Sequence, residues 1–328
     1  MKKFRFITLI MISAFLVVTS CEKDAAVKES EVLAEYLEST DSPLMKDYVN
    51  TELPSIIGAT EVKTLNEAGQ AYVIDIRPAD VFASGHIPGA YNVALADLLT
   101  HVQTADFTGI AKIVVTCYTG QSAGYGVTLL RLMGYDNVYS LKWGMCSWHD
   151  DFAGKWYTAI STGNAFATQF TSVVTEKGAE VNMPELTTGM ETGQEILEVR
   201  VDDLLVDGYS VAAVSSQTVF DNLDDYYIVN YWPADRYADP GHIPGAIQYT
   251  PKADMKSDTY LKTLPTDKPI VVYCYTGQAS SFLTAYLRLL GYDAKSLLYG
   301  ANSMIYDIMK DLGWTTFSDS HVMNYDYE

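Results

Sequence analysis

The run IVVTCYTGQSA at residues 113–123 is nearly repeated as IVVYCYTGQAS at residues 270–280. Each begins with β-branched apolar residues, reaches a cysteine (Cys117 or Cys274), turns at a glycine (Gly120 or Gly277) and continues into an apolar segment, GYGVTLLRLMG or SFLTAYLRLLG. A short buried strand, a tight turn and a helix in that order predict an α/β unit. Its cysteine then sits at the carboxyl edge of a parallel sheet, where such folds bind ligands.

The likeness extends outward. Residues 113–134 and 270–291 agree at 12 of 22 positions, including both LRL triplets and the closing glycines Gly134 and Gly291. Upstream, RPADVFASGHIPGAYNV (77–93) answers WPADRYADPGHIPGAIQY (232–249), with one extra residue in the second copy. A repeat of this length predicts two whole domains rather than a solenoid. Strand-like AYVIDI (71–76) and YYIVNY (226–231), alternating with helical segments, predict a parallel sheet in each. The expected division is residues 45–155 for the first domain, 156–195 for a connection with a lead-in strand, and 196–328 for the second.

The loop chemistry follows from its residue types. A glycine turn can point successive backbone N–H groups inward, and the helix start behind it adds positive potential at the same spot. A sulfur held there is favoured as a thiolate, and the same cradle suits an outer sulfur carrying negative charge. Cys117 and Cys274 are therefore the candidate nucleophiles.

DIRPADVFASGHIPGA, followed by a strand, CYTGQS and a helix ending in LRLMGYD, resembles the rhodanese (sulfurtransferase) family, and both halves carry the pattern. The resemblance implies an α/β fold of two tandem rhodanese-like domains, each a mainly parallel sheet flanked by helices. It implies transfer of a sulfane sulfur from a small donor, of thiosulfate or persulfide type, to a thiophilic acceptor through a cysteine persulfide. Catalysis would fall to Cys117 and Cys274. Substrate would be bound by Tyr118, Thr119, Gly120, Gln121 and Ser122, and by Tyr275, Thr276, Gly277, Gln278 and Ala279. Related phosphatases and arsenate reductases use a loop one residue longer that ends in arginine; here Ala123 and Ser280 stand sixth after the cysteines, with no arginine in either loop.

Two departures qualify the resemblance. Neutral Tyr118, Thr119, Tyr275 and Thr276 stand where relatives that use thiosulfate or mercaptopyruvate often place a cation, so anion binding is expected to rest on backbone N–H groups. The first copy has Asp75 and Arg77 where the second has Asn230 and Trp232. Asp75 and Arg77 are supporting residues at a strand end, with Asp80 near enough in sequence to pair with the arginine, and Cys117 is expected to carry most of the turnover. His86 and His242, in the GHIPGA turns, read as turn-holding rather than as bases. Cys146, in LKWGMCSWHD, reads as a small buried hydrophobe, with a resolving thiol as the alternative. A non-catalytic or single-turnover persulfide carrier remains the alternative function.

Composition bounds the rest. The 328 residues are 48% hydrophobic, with 22 basic and 41 acidic side chains. A net charge of −19 argues against nucleic acid as a partner. Lys2, Lys3 and Arg5 precede an apolar run from Phe6 to Val18, which has the layout of a secretory leader over residues 1–20. VVTSC resembles a lipobox, so Cys21 is the expected lipidation site, residues 21–44 the tether and leading helix, and the cell envelope the expected location. Membrane contact would be through that lipid. No His/Cys spacing suggests a metal, and no cofactor is expected.

Overall fold

A computed structural model describes residues 28–328; the expected leader and Cys21 lie outside the described residues. The first half runs α1 (Glu29–Glu38), α2 (Tyr48–Thr51), β1 (Ile56–Ile57), α3 (Ala59–Glu67), β2 (Ala71–Asp75), α4 (Ala79–Ala83), β3 (Tyr91–Asn92), α5 (Leu98–Thr104), β4 (Lys112–Thr116), α6 (Gln121–Leu132), β5 (Val138–Leu141) and α7 (Gly154–Ile160). The second runs α8 (Gly193–Asp207), β6 (Ala213–Val214), α9 (Ser216–Asp221), β7 (Tyr227–Asn230), α10 (Ala234–Ala238), β8 (Ile247–Gln248), β9 (Ile270–Tyr273), α11 (Gln278–Leu289), β10 (Ala294–Leu297) and α12 (Tyr306–Asp311).

The repeat becomes two parallel sheets of identical order, β1-β5-β4-β2-β3 and β6-β10-β9-β7-β8. Their central strands β4 and β9 share a buried apolar run, IVV in each, as suits a strand covered on both faces. Each ends at its cysteine loop.

Helices α6 and α11 bury 11 and 10 of their 12 residues, which only a helix with neighbours on all sides can do. Their partners are each other. A Cβ built on Gly124 of α6 would lie 2.7 Å from both Ser281 Oγ and a ring carbon of Phe282 on α11, so that glycine permits the close approach. Thr128 Oγ1 donates to the Phe282 carbonyl at 3.2 Å. One apolar core consequently runs through both halves, from Leu33 and Leu98 to Val229 and Phe282.

The chain ends cross over. Helix α1 packs on α8 of the second half, and its Glu29 carboxylate accepts from Thr188 N, Thr188 Oγ1 and Gly189 N at 2.7–2.9 Å. The expected leading helix is thus α1, which places Leu33, Ala34 and Leu37 in the core. The last residues return to the first half, where His86 and Glu328 exchange backbone hydrogen bonds at 2.8 and 3.0 Å.

The connection also departs from expectation, because no lead-in strand forms there. Thr171 and Thr175 make only isolated bridges, to His242 and Ile247, along the β8 edge. The second half is entered by a helix instead, since Thr192 and Glu195 form a reciprocal capping box at the start of α8.

Candidate active site

Both cradles are held open from behind. The three-residue-per-turn helix after β5 ties back the first loop: Met145 N donates to Cys117 O at 2.8 Å and Cys146 N to Tyr118 O at 3.2 Å. After β10, Ala301 N and Asn302 N donate to Cys274 O and Tyr275 O at 2.9 and 3.1 Å. With the loop carbonyls committed outward, the N–H groups are free to face the sulfur. Gly120 and Gly277 make the turn at φ +85° and +74°, a left-handed conformation that costs a side-chain-bearing residue about 1–2 kcal/mol.

The sulfurs are held differently. Cys117 Sγ accepts from Gly120 N at 3.1 Å and Ala123 N at 3.4 Å. Cys274 Sγ accepts from Ser280 N at 3.3 Å and also lies 3.5 Å from Ser280 Oγ, which contacts Ser296 Oγ at 2.9 Å. Rotation of the Ser280 hydroxyl lets it receive from the thiol or donate to a thiolate. Ala123 provides no such group, so the exchange of Ala123 for Ser280 gives the second cradle a hydroxyl.

Around the first loop, Asp75 and Arg77 form a buried bidentate ion pair with contacts of 2.7–3.0 Å, and Arg77 Nη2 also donates to Gly85 O at 2.7 Å. Asp80 is exposed and does not join it, because it opens α4 and faces solvent. Around the second loop, Asn230 donates to Tyr273 Oη at 2.6 Å and Trp232 stacks on Tyr275 at 5.2 Å. An ionic support has become an aromatic one.

Access differs as well. Cys274 lines a cavity of about 250 Å³ together with Leu53, Ile56 and Lys142 of the first half and Tyr231 and Lys252 of the second. The larger cleft on the first half, about 510 Å³, is lined by Arg77, Tyr118, Phe152, Lys155 and Tyr327 but not by Cys117. The two cues for primacy therefore fall on different cysteines: Cys117 has the ion-paired rim, and Cys274 lines a cavity.

Not every loop residue faces substrate space. Gln121 Oε1 accepts from Tyr299 N of the other half at 2.8 Å, while its amide donates to Thr119 Oγ1 at 3.0 Å. Gln278 reaches the opposite way, and a Cβ on Gly120 would overlap its Nε2. Gln121 thus joins cradle to cradle by a hydrogen bond and Gln278 by packing on Gly120, contacts no single-domain pattern shows. Tyr275, Thr276, Gln278 and Ala279 do line the Cys274 cavity, and Tyr118 lines the first cleft, with Lys155 Nζ 4.5 Å from its ring centroid. Thr119 is buried and Ser122 half-buried.

The histidines hold turns. His86 Nδ1 contacts Phe82 O at 2.9 Å, and its ring stacks on Phe82. His242 lies fully buried between Tyr237 O at 2.9 Å and Val173 O at 3.0 Å. Neither has a contact to a loop sulfur among these hydrogen bonds. Among the described residues no group of three or more His, Cys, Asp or Glu side chains is placed to hold a metal, and no helix is long and apolar enough to cross a membrane.

Cys146 is fully buried and donates to Phe152 O at 3.0 Å; burial pushes its thiol up to about 12. Below that value it stays protonated and unreactive. In native protein at pH 8, iodoacetamide should leave Cys146 unmodified over hours, with labelling complete once urea is added. Peptide mass mapping checks this, and native labelling at the unfolded rate would contradict it.

Residues that sequence reasoning overlooked share one signal. Trp143-Gly144 and Tyr299-Gly300 are equivalent aromatic-glycine pairs, and all four residues have positive φ, from +54° to +67°. They form the turn that ties back each loop, and the matching pairs at corresponding places in the repeat could have marked them.

Comparison with known proteins agrees with this architecture. The family model described as a rhodanese-like domain matches residues 58–151 and 217–304. Thiosulfate sulfurtransferase GlpE of Shewanella oneidensis is 33% identical over 94 residues, 29% of this chain and 91% of the relative. Its namesake from Pseudomonas fluorescens is 34% identical over 103 residues, 31% of this chain and 88% of that protein. Among solved structures, the 3-mercaptopyruvate sulfotransferase SseA from Escherichia coli aligns at 18% identity over 74% of this chain and 97% of its own, with a TM-score of 0.27, too loose a fit to carry further argument. With two family matches that coincide with two sheets of one topology, each bearing its cysteine loop, the chain belongs to the rhodanese-like domain family and carries that domain in tandem.

Proposed function

We propose that this protein is a sulfurtransferase that moves a sulfane sulfur through a persulfide on Cys274, with Cys117 as a second acceptor. The observation that carries the reading is Cys274 Sγ, held by Ser280 N at 3.3 Å at the end of a central strand and lining a cavity of about 250 Å³.

The reaction needs little beyond that geometry. The Cys274 thiolate attacks the outer sulfur of the donor, a new S–S bond forms, and the donor's own bond to that sulfur breaks with its electron pair leaving on sulfite, sulfinate or thiolate. An acceptor such as cyanide then attacks the outer sulfur of the persulfide and releases the Cys274 thiolate. Each cradle hydrogen bond to a charged sulfur contributes about 1.5–3 kcal/mol. The Ser280 hydroxyl supports the charge as it shifts from one sulfur to the next. The absence of arginine from both loops argues against phosphoryl transfer, which relies on cationic clamping.

Intact-mass measurement after incubation with thiosulfate or a thiosulfonate, followed by cyanide, tests the proposal. One added sulfur on Cys274 and steady thiocyanate release are expected. A sulfur that comes off once without further turnover would favour the carrier reading, and no added sulfur from any donor would end both. Lipidation at Cys21 and placement in the cell envelope are proposed on the leader and VVTSC alone; intact mass of protein made with its leader tests them, and a free, unacylated Cys21 would count against both.

A further inference from the structure

We infer that the Cys274 cavity contains an anion subsite built by Lys142 of the first domain with Lys252 at its edge, and that its preferred sulfur donor is an organic anion with an apolar body, of the thiosulfonate class. The subsite follows from geometry, whereas the identification of its occupant as a sulfur donor rests on the proposed sulfurtransferase function.

Two features of the cavity point this way. Its charged lining residues are Lys142 and Lys252 alone, in a chain with 41 acidic and 22 basic side chains. Neither lysine makes an ion pair with a carboxylate among the described residues, whereas Lys46, Lys112 and Lys256 each do. The remaining wall is largely apolar, with Leu53, Pro54 and Ile56 from the first domain and Tyr231 from the second. An ammonium beside such a wall attracts an anion more strongly than it would in open water.

Lys142 is half-buried at the end of β5, with its Nζ 5.3 Å from the Trp143 ring centroid. Burial lowers its pKa from the usual lysine value. A bound anion offsets that desolvation cost, and the cation missing from the CYTGQA loop is thereby supplied from the other domain. Lys252 is exposed, adopts φ +62° and donates its backbone N–H to Tyr231 Oη at 3.3 Å. A cavity of about 250 Å³ exceeds what a thiosulfate ion fills, and its apolar wall makes no use of a purely polar donor.

The step balances without an added oxidant or reductant. The Cys274 thiolate and the thiosulfonate each bring one negative charge. Attack on the terminal sulfur forms the Sγ–S bond, the donor S–S bond breaks, and the pair leaves on the sulfinate. Persulfide and sulfinate then carry one negative charge each.

The test compares alkylation of Cys274 by anionic iodoacetate and neutral iodoacetamide, resolved by peptide mass mapping, in wild type and in Lys142→Gln, Lys252→Gln and the exposed control Lys310→Gln. The iodoacetate-to-iodoacetamide rate ratio should fall about three- to tenfold in Lys142→Gln, less in Lys252→Gln and not in the control. In cyanide-coupled assays, wild type should show a lower KM for benzenethiosulfonate than for thiosulfate, and Lys142→Gln should raise the benzenethiosulfonate KM with a smaller effect on kcat. An unchanged alkylation ratio in Lys142→Gln overturns the subsite. A lower KM for thiosulfate overturns the apolar-body assignment. A shifted ratio with no thiocyanate from any donor supports the subsite and overturns the sulfurtransferase reading.

Discussion

Replacing Cys274 with serine should lower steady-state thiocyanate production at least about 10³-fold, the scale of losing a covalent nucleophile. Cys117→Ser should keep more than about half of wild-type turnover, a change small enough to leave transition-state stabilisation nearly intact. The asymmetry arises from access and support together. Both sulfurs are nearly inaccessible, at 2% and 3% residue exposure for Cys117 and Cys274, but only Cys274 lines the cavity to which both domains contribute. Ser280 Oγ at 3.5 Å adds a hydroxyl to its cradle that Ala123 does not offer to Cys117. Cyanide-coupled kinetics on the two single variants decide the matter. If Cys117→Ser proves the inactive one, the ion-paired rim of Asp75 and Arg77 outweighs cavity access, and the assignment to Cys274 is wrong.

Gly300→Ala should destabilise the protein by about 2–5 kcal/mol, combining about 1–2 for a left-handed side-chain-bearing residue with about 1–3 for overpacking. The clash is with backbone that has nowhere to go. A Cβ there would overlap Cys274 O and lie 2.7 Å from Gly277 N and 2.9 Å from Thr276 N, at φ +54°. The same atoms shape the cradle, so sulfur loading should fall along with stability. Gly69→Ala is the matched control, since it has φ +67° but open space around its Cβ position, and it should cost only the conformational part, about 1–2 kcal/mol. Urea unfolding of the two variants measures the difference. Equal midpoints would show that the loop contact does not constrain Gly300.

Much of this molecule can be read in one dimension. The pairing of GHIPGA with a strand, cysteine loop and apolar helix marks each domain, and the repeat predicts that the two sheets share an order. The exchange of Asp75 and Arg77 for Asn230 and Trp232 foretold different surroundings for the two loops, realised as a buried ion pair and an aromatic stack. Asp80 was misread because closeness in sequence to Arg77 says nothing about which way the first turn of α4 faces. Gln121 was assigned to substrate alone because a single-domain pattern contains no opposing domain, such as the one holding Tyr299, for it to reach.

Sequence alone determined the number of domains, their fold, the two thiols and the turn glycines beside them. Those properties depend on residues within a few positions of one another, where periodicity and allowed backbone angles leave a local signature. Tertiary structure decided which thiol meets a cavity, which lysines surround it and how the cradles touch. Helices α6 and α11 bury nearly their whole surfaces, and such a helix announces that it is covered without saying by what. Once they cover each other, Lys142 is carried beside Cys274, 132 positions away in the chain, and a loop lacking its own cation gains one from the neighbouring domain.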